Sequence, residues 1–163
     1  MDSPAIKTVR EALDKLELPY RRLEDGNGFR VAYPDSDPVM QGYAFVPVGQ
    51  DRFIFHLEME DRADRDLIPK VAEFITRANY GMRIGNFEMD YDRGAIRFKV
   101  SIDFNGAGLT QALVRNSILA AMSVVETYGG GLLDVLAGEK EPSQAIRDSQ
   151  AAASQGFPEF DVS

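Results

Sequence analysis

The sequence predicts an α+β domain: an antiparallel sheet of about five strands with helices packed on one face, in the order α-β-β-β-α-β-β-α. Three observations lead there. Residues 86–104, NFEMDYDRGAIRFKVSIDF, alternate apolar and charged side chains on both sides of Arg93-Gly94, the pattern of a hairpin. Three shorter segments between residues 29 and 60 alternate or run apolar over strand lengths. Stripes at helical spacing precede, separate and follow these runs, so strands gather between separated helices, as in an antiparallel sheet covered on one side.

Each element has its own signal. Ser3-Pro4 opens the first helix with a hydroxyl at the cap and proline at the first helical position. Ile6, Val9, Leu13 and Leu16 form its apolar stripe, Glu11 and Lys15 an i,i+4 pair on the other side, and Pro19 stops it. Gly26-Asn27-Gly28 makes a turn into a strand in which Phe29, Val31 and Tyr33 alternate. After the loop PDSDP come strands over 43–48 and 52–60, joined at Gly49-Gln50-Asp51. In the latter, Phe53, Phe55, Leu57 and Met59 make one face, and Ile54, His56, Glu58 and Glu60 the other.

Asp66 is positioned to cap a second helix with Pro69 in its first turn, a stripe of Leu67, Val71, Phe74, Ile75 and Ala78, and Gly81 at its end. Beyond the hairpin and the loop NGAGLT, Val114, Ile118, Ala121, Met122, Val125 and Tyr128 mark a third helix, which Gly129-Gly130-Gly131 is expected to break. LLDVLAG adds a helical turn or two, and Pro142 starts a short helix. From Asp148 the chain is small and polar, ending in GFPEFDVS. The expected organisation is one domain over 1–147 and a flexible tail over 148–163 carrying Phe157 and Phe160.

The hairpin register can be derived. With Arg93 and Gly94 as the central turn residues, Tyr91 faces Ile96, Asp90 faces Arg97, Met89 faces Phe98, Glu88 faces Lys99 and Phe87 faces Val100. Apolar partners then share one side and charged partners the other, and an odd loop would scramble both. The acids thereby gain cross-strand partners, which makes them structural.

Composition excludes whole classes of function. The 163 residues suffice for one domain with a real core. A net charge of -8 argues against nucleic acid as a ligand, since a phosphate-binding surface needs a basic stripe. The absence of cysteine removes disulfides, zinc-thiolate sites, iron–sulfur clusters and thiol catalysis. The first residues lack the apolar core of a signal peptide, and no unbroken apolar run approaches the roughly 20 residues of a membrane helix, so a soluble, cytoplasmic protein is expected, with no membrane partner.

No residue pattern carries an enzyme. His56 is the sole histidine, and Glu58 is the best partner available to it, with no serine placed alongside as a nucleophile. The acids of EMEDRADRD are interleaved by Arg62 and Arg65 and lack EF-hand spacing; DYDRG has Ala95 where that loop needs glycine. NGAG has two glycines but no third and no Walker lysine, and it follows a hairpin, so no cofactor motif is present.

The order of elements, together with specific words, resembles the YbjN family of small bacterial proteins, whose fold is that of the type III secretion chaperones. The words are FITRANY at 74–80, GNFEMDYDRGAIRFKVSIDF, LTQALVRNSILAAMSVVETYGGGLL and GEKEPSQAI, and the resemblance runs from about Ala5 to Ile146. It implies a regulator of sensory transduction or stress responses with no established enzymatic activity. It also implies a chaperone-like fold that commonly forms homodimers and binds segments of other proteins. It supplies no catalytic residues.

One stretch resists a plain structural reading. Residues 43–48 are apolar on both parities; either a helix or loop of the same chain covers them, or Ala44, Val46 and Val48, joined by Ile54, form a patch that meets a second subunit or a protein client, the functional expectation. Pro47 suits an edge or a bulge. The expected function is thus a non-enzymatic, chaperone-like interaction module, with regulatory potential, recognising a protein partner through an apolar sheet surface. The alternative is a small-molecule-binding sensory regulator, its ligand held between sheet and helices near Phe55, Tyr80 and Tyr128.

Overall fold

The computed structural model describes residues 1–33 and 36–154. The chain runs α1 (Pro4–Lys15), β1 (Tyr20–Arg22), β2 (Gly28–Tyr33), β3 (Met40–Phe45), β4 (Arg52–Arg62), α2 (Ile68–Asn79), β5 (Asn86–Met89), β6 (Ala95–Asp103), α3 (Gln111–Leu136) and α4 (Pro142–Ser154). The six strands form one antiparallel sheet in the order β1-β2-β3-β4-β6-β5. Helices cover one of its faces, and the core between them is built from Phe53, Phe55 and Leu57 of β4, Phe98 of β6, and stripes from the helices. The α+β class follows the sequence reading, and so does the element order apart from one added strand, β1.

Local chemistry explains most boundaries. The Ser3 hydroxyl accepts the Ile6 N–H at 3.2 Å, and the Thr110 hydroxyl accepts that of Leu113 at the same distance, so α1 and α3 start at capped ends. α2 departs from expectation: a 3-10 turn over Arg65–Leu67 precedes it, and Asp66 caps nothing.

Four further differences concern topology. The sixth strand, β1, is three residues with two arginines, too short and polar to show a period. It exists because Tyr20 packs edge-on against Phe29 with ring centres 5.1 Å apart, and because the Ala32 N–H extends the pairing to the Pro19 carbonyl at 2.8 Å.

The hairpin β5–β6 slides by two residues from the derived register: Glu88 faces Arg97, Met89 faces Ile96 and Phe87 faces Phe98. Its loop is Tyr91 to Gly94. The Asp90 carboxylate accepts the N–H groups of Asp92 and Arg93 at 3.0 and 3.1 Å, and Gly94, at φ 69°, donates to the Asp90 carbonyl at 2.7 Å. Asp90 is consumed by the turn and does not reach across to Arg97. A slide of two preserves parity, so the expected faces survive.

The triple glycine does not break α3, which is continuous over 26 residues. Gly129 lies against the Pro38 ring and Gly131 against Ala145 and Ser149 of α4, and a side chain at either would collide. The glycines are contact points, not a break. Unbroken, α3 has the length and apolarity of a membrane span, but Val114, Ile118, Ala121, Val125, Leu132 and Val135 are buried in the fold.

The tail expected from Asp148 is helical to Ser154. Lys140 joins Asp134 and Asp148 at 3.0 and 3.1 Å, tying α4 to the end of α3, and Ala145, Ile146 and Ser149 are buried. Phe157 and Phe160 lie outside the described residues.

Candidate functional site

Because the helices gather on one side, the other face of the sheet is left uncovered by the described residues. Its central row runs across all six strands: Arg21, Arg30, Tyr43, His56, Lys99 and Asn86 stand successively opposite one another. Beside it, Phe45 faces Ile54 and Ile54 faces Ser101; on the other flank Gln41, Glu58, Arg97 and Glu88 follow in turn. Tyr43, Phe45 and Ile54 are half-buried, yet none is among the half-buried side chains that pack on the core. They make a small apolar centre on a face that no described element covers.

His56 belongs to that centre. It is only 9% exposed, with the Phe45 ring edge-on at 5.3 Å. Burial, and then the positive charge of Arg97, push its pKa from 6.5 down to about 4, so the imidazole is neutral near pH 7. Its Nδ1 is 3.8 Å from Glu58 Oε1, too far for a hydrogen bond, and so weak a base is ill suited to proton abstraction.

Charge around the centre is uneven. Burial raises the Glu88 pKa, but hydrogen bonds from Lys99 and Arg97 outweigh it and hold the carboxyl below its ordinary value; Arg97 Nε lies 2.7 Å from Oε2, and Lys99 reaches Oε1. One acid thus neutralises part of the charge of two cations. Arg21 and Arg30, at the opposite side, have no such partner among the described residues.

The structure separates the four residues assigned to a partner-binding patch. Ala44 is 0% exposed, between Phe29 and Phe55 on the covered face. Val46 and Val48 lie past the end of β3. Val46 packs on the core margin, Val48 is 76% exposed, and both line a cleft of about 530 Å³ with Pro4, Ile6 and Leu109. Ile54 alone reaches the uncovered face. The cause is register: a three-residue joint at Gly49-Gln50-Asp51 would set Val46 against Ile54, whereas Phe45 faces it in the fold. A slip of one residue exchanges the faces of a strand. Tyr43 and Phe45 therefore stand on the uncovered face with Ile54, and the double parity of 43–48 was the only sequence signal of it.

Other candidates are dispersed. Phe55 is sealed in the core, Tyr80 is 91% exposed, and Tyr128 packs edge-on against Phe74 and Phe87, so the three do not share a cavity. Where β4 leaves β6 between Glu58 and Arg62, a cleft of about 770 Å³ opens, in which Glu58, Glu60 and Glu88 face Arg62 and Arg97. Among the described residues no three His, Asp or Glu side chains converge as metal ligands. At NGAG the Asp103 carboxylate accepts the Asn105 N–H, closing an ordinary turn.

Comparison with known proteins agrees with this fold. Residues 5–133 match the family model YbjN, described as "Putative bacterial sensory transduction regulator". No curated protein matches the chain. Among solved structures, the crystal structure of "YbjN, a putative transcription regulator from E. coli" is 15% identical with a TM-score of 0.54, covering 76% of this chain and 91% of that one. The ExsC-ExsE complex is likewise 15% identical, with a TM-score of 0.52, covering 79% of this chain and 95% of that one. At that identity the likeness shows the fold, an α+β arrangement of the type III secretion chaperone kind.

Proposed function

The chain belongs to the YbjN family, and on that premise we propose that it is a non-enzymatic, chaperone-like interaction module with a regulatory role, recognising a protein partner through the uncovered sheet face. The observation that carries this reading is the half-buried centre of Tyr43, Phe45 and Ile54, apolar side chains on a face that the described helices leave bare. Support comes also from the ExsC-ExsE structure, in which a protein of this fold is held in a complex with another protein. A homodimer, implied by the family resemblance, and a cytoplasmic location are part of the same proposal.

Of the four residues first assigned to the patch, Ile54 is retained in the partner surface. Val46 and Val48 form a second, neighbouring candidate, and Ala44 supports the strand from within. Affinity capture from a bacterial lysate tests the assignment by comparing the wild type with Phe45→Glu/Ile54→Glu and with Val46→Glu/Val48→Glu. Partners lost only from the first variant support the sheet face; partners lost only from the second move the site to the cleft beside α1. Retention of the same partners by both folded variants sinks the proposal.

A further inference from the structure

Arg21 and Arg30 stand directly opposite each other on the uncovered face, and both are exposed. Neither forms an ion pair among the described residues, although the chain holds 26 acidic residues against 18 lysines and arginines. Their neighbours are served differently. Arg22 is bonded by Asp2 and by the Gly26 carbonyl, and Arg97 and Lys99 share Glu88. Like charges opposed across a strand pair repel, so the free protein carries this pair at a cost that no described acid offsets. A cleft of about 400 Å³ lies against the two guanidinium-bearing side chains, walled by Pro19, Tyr20, Ala32 and Gln41. The next residue across the sheet from Arg30 is Tyr43, which leads into the apolar centre with Phe45 and Ile54.

Resting on the reading of this face as a partner surface, we infer that Arg21 and Arg30 recognise carboxylates, and that the occupant is an acidic segment of a protein partner with an aromatic or branched aliphatic residue beside its Asp or Glu. A guanidinium fork matches a carboxylate with two parallel hydrogen bonds, and two forks side by side accept neighbouring acids. Tyr43, Phe45 and Ile54 receive the apolar side chain. Bound in this way, the segment removes the Arg21–Arg30 repulsion as it buries the apolar centre. A nucleic-acid backbone fits less well, since it asks for a continuous basic track. Here the track is interrupted by the apolar centre, and the cations beyond it are engaged by Glu88.

Selection of a random-peptide phage library on the full chain tests this, with the selected peptides rescored on Arg21→Ala/Arg30→Ala and random duplex DNA titrated in parallel. Selected peptides should carry Asp or Glu beside an aromatic or branched residue. Replacing those acids by amides in a synthetic copy should weaken binding at least about tenfold, as should the double arginine variant, the scale of a lost charged hydrogen bond. Thermal unfolding of that variant should be unchanged or shifted upward, because a repulsion has been removed. Apolar, acid-free peptides bound equally by both proteins would overturn the carboxylate assignment and leave the sheet face as a partner surface. Duplex binding abolished in the double variant would overturn it in favour of phosphate. Enrichment of no peptide would also overturn it, and the lysate capture then decides the broader reading on its own.

Discussion

Asn79, the last residue of α2, grips the backbone of Phe87 with both ends of its amide: Oδ1 accepts the Phe87 N–H at 2.7 Å and Nδ2 donates to the Phe87 carbonyl at 3.1 Å. β5 is an edge strand, and the amide takes the place of a further strand at this one residue. It also fixes α2 to the sheet at the point where the chain turns.

Asn79→Ala should therefore cost about 1–3 kcal/mol in urea unfolding, because the N–H of the buried Phe87 loses its partner. Asn79→Asp should cost less. A carboxylate still accepts that N–H, and Asn86 Nδ2 still donates to the carbonyl at 3.1 Å. Light scattering of Asn79→Ala should rise with concentration as the freed edge pairs between molecules. Equal stability of all three proteins would show that the clasp contributes nothing.

His56 makes stability depend on pH in a defined window. The unfolded imidazole takes up a proton near 6.5, whereas the folded one resists until about 4. Between those values the unfolded chain binds more protons, so stability is whole above about 6.5 and falls as the pH drops toward 4. The full loss is on the order of 3 kcal/mol. His56→Gln should flatten urea midpoints between about pH 7 and about pH 5, where wild type declines. Glu88, whose carboxyl is held below its ordinary 4.5, contributes at lower pH and leaves that window to the histidine.

The three glycines of α3 should respond differently to alanine. Nothing lies within 4 Å of the place a methyl carbon would take at Gly130, so Gly130→Ala should stabilise by about 0.5–1 kcal/mol through helix propensity. At Gly129 the same carbon would lie 2.6 Å from Pro38 Cδ, and at Gly131 it would lie 2.5 Å from Ser149 Oγ and 3.1 Å from the Ala145 carbonyl. Gly129→Ala should lower the melting temperature against the propensity gain, since the proline ring cannot turn aside. Three thermal melts decide it.

Adjacent positions on β3 and β4 should separate core from surface. Ala44→Leu forces three more carbons between Phe29 and Phe55 and should cost about 1–3 kcal/mol. Ile54→Thr, on the uncovered face, should cost under about 1 kcal/mol while weakening partner capture. The reverse ranking in denaturant would place the faces the other way round.

Alternation along the strands and stripes along the helices determined the α+β class, the order of elements and which residues of the hairpin look inward, because side-chain period depends only on local backbone geometry. The family words between residues 74 and 146 pointed to the same fold. Tertiary structure decided what local pattern leaves open. The slide of two at Glu88 and Arg97 is invisible to parity, and Asp90's turn settles it. The slip of one at Phe45 and Ile54 reverses parity, and it depends on how the 46–51 connection closes, so Ala44 passed to the core and Tyr43 and Phe45 came to the open face. Gly129-Gly130-Gly131 reads locally as a break and is helical because Pro38 and α4 pack closely enough to need the missing side chains. The Arg21–Arg30 pair joins residues that no sequence period links; only the pairing of β1 with β2 brings their like charges together.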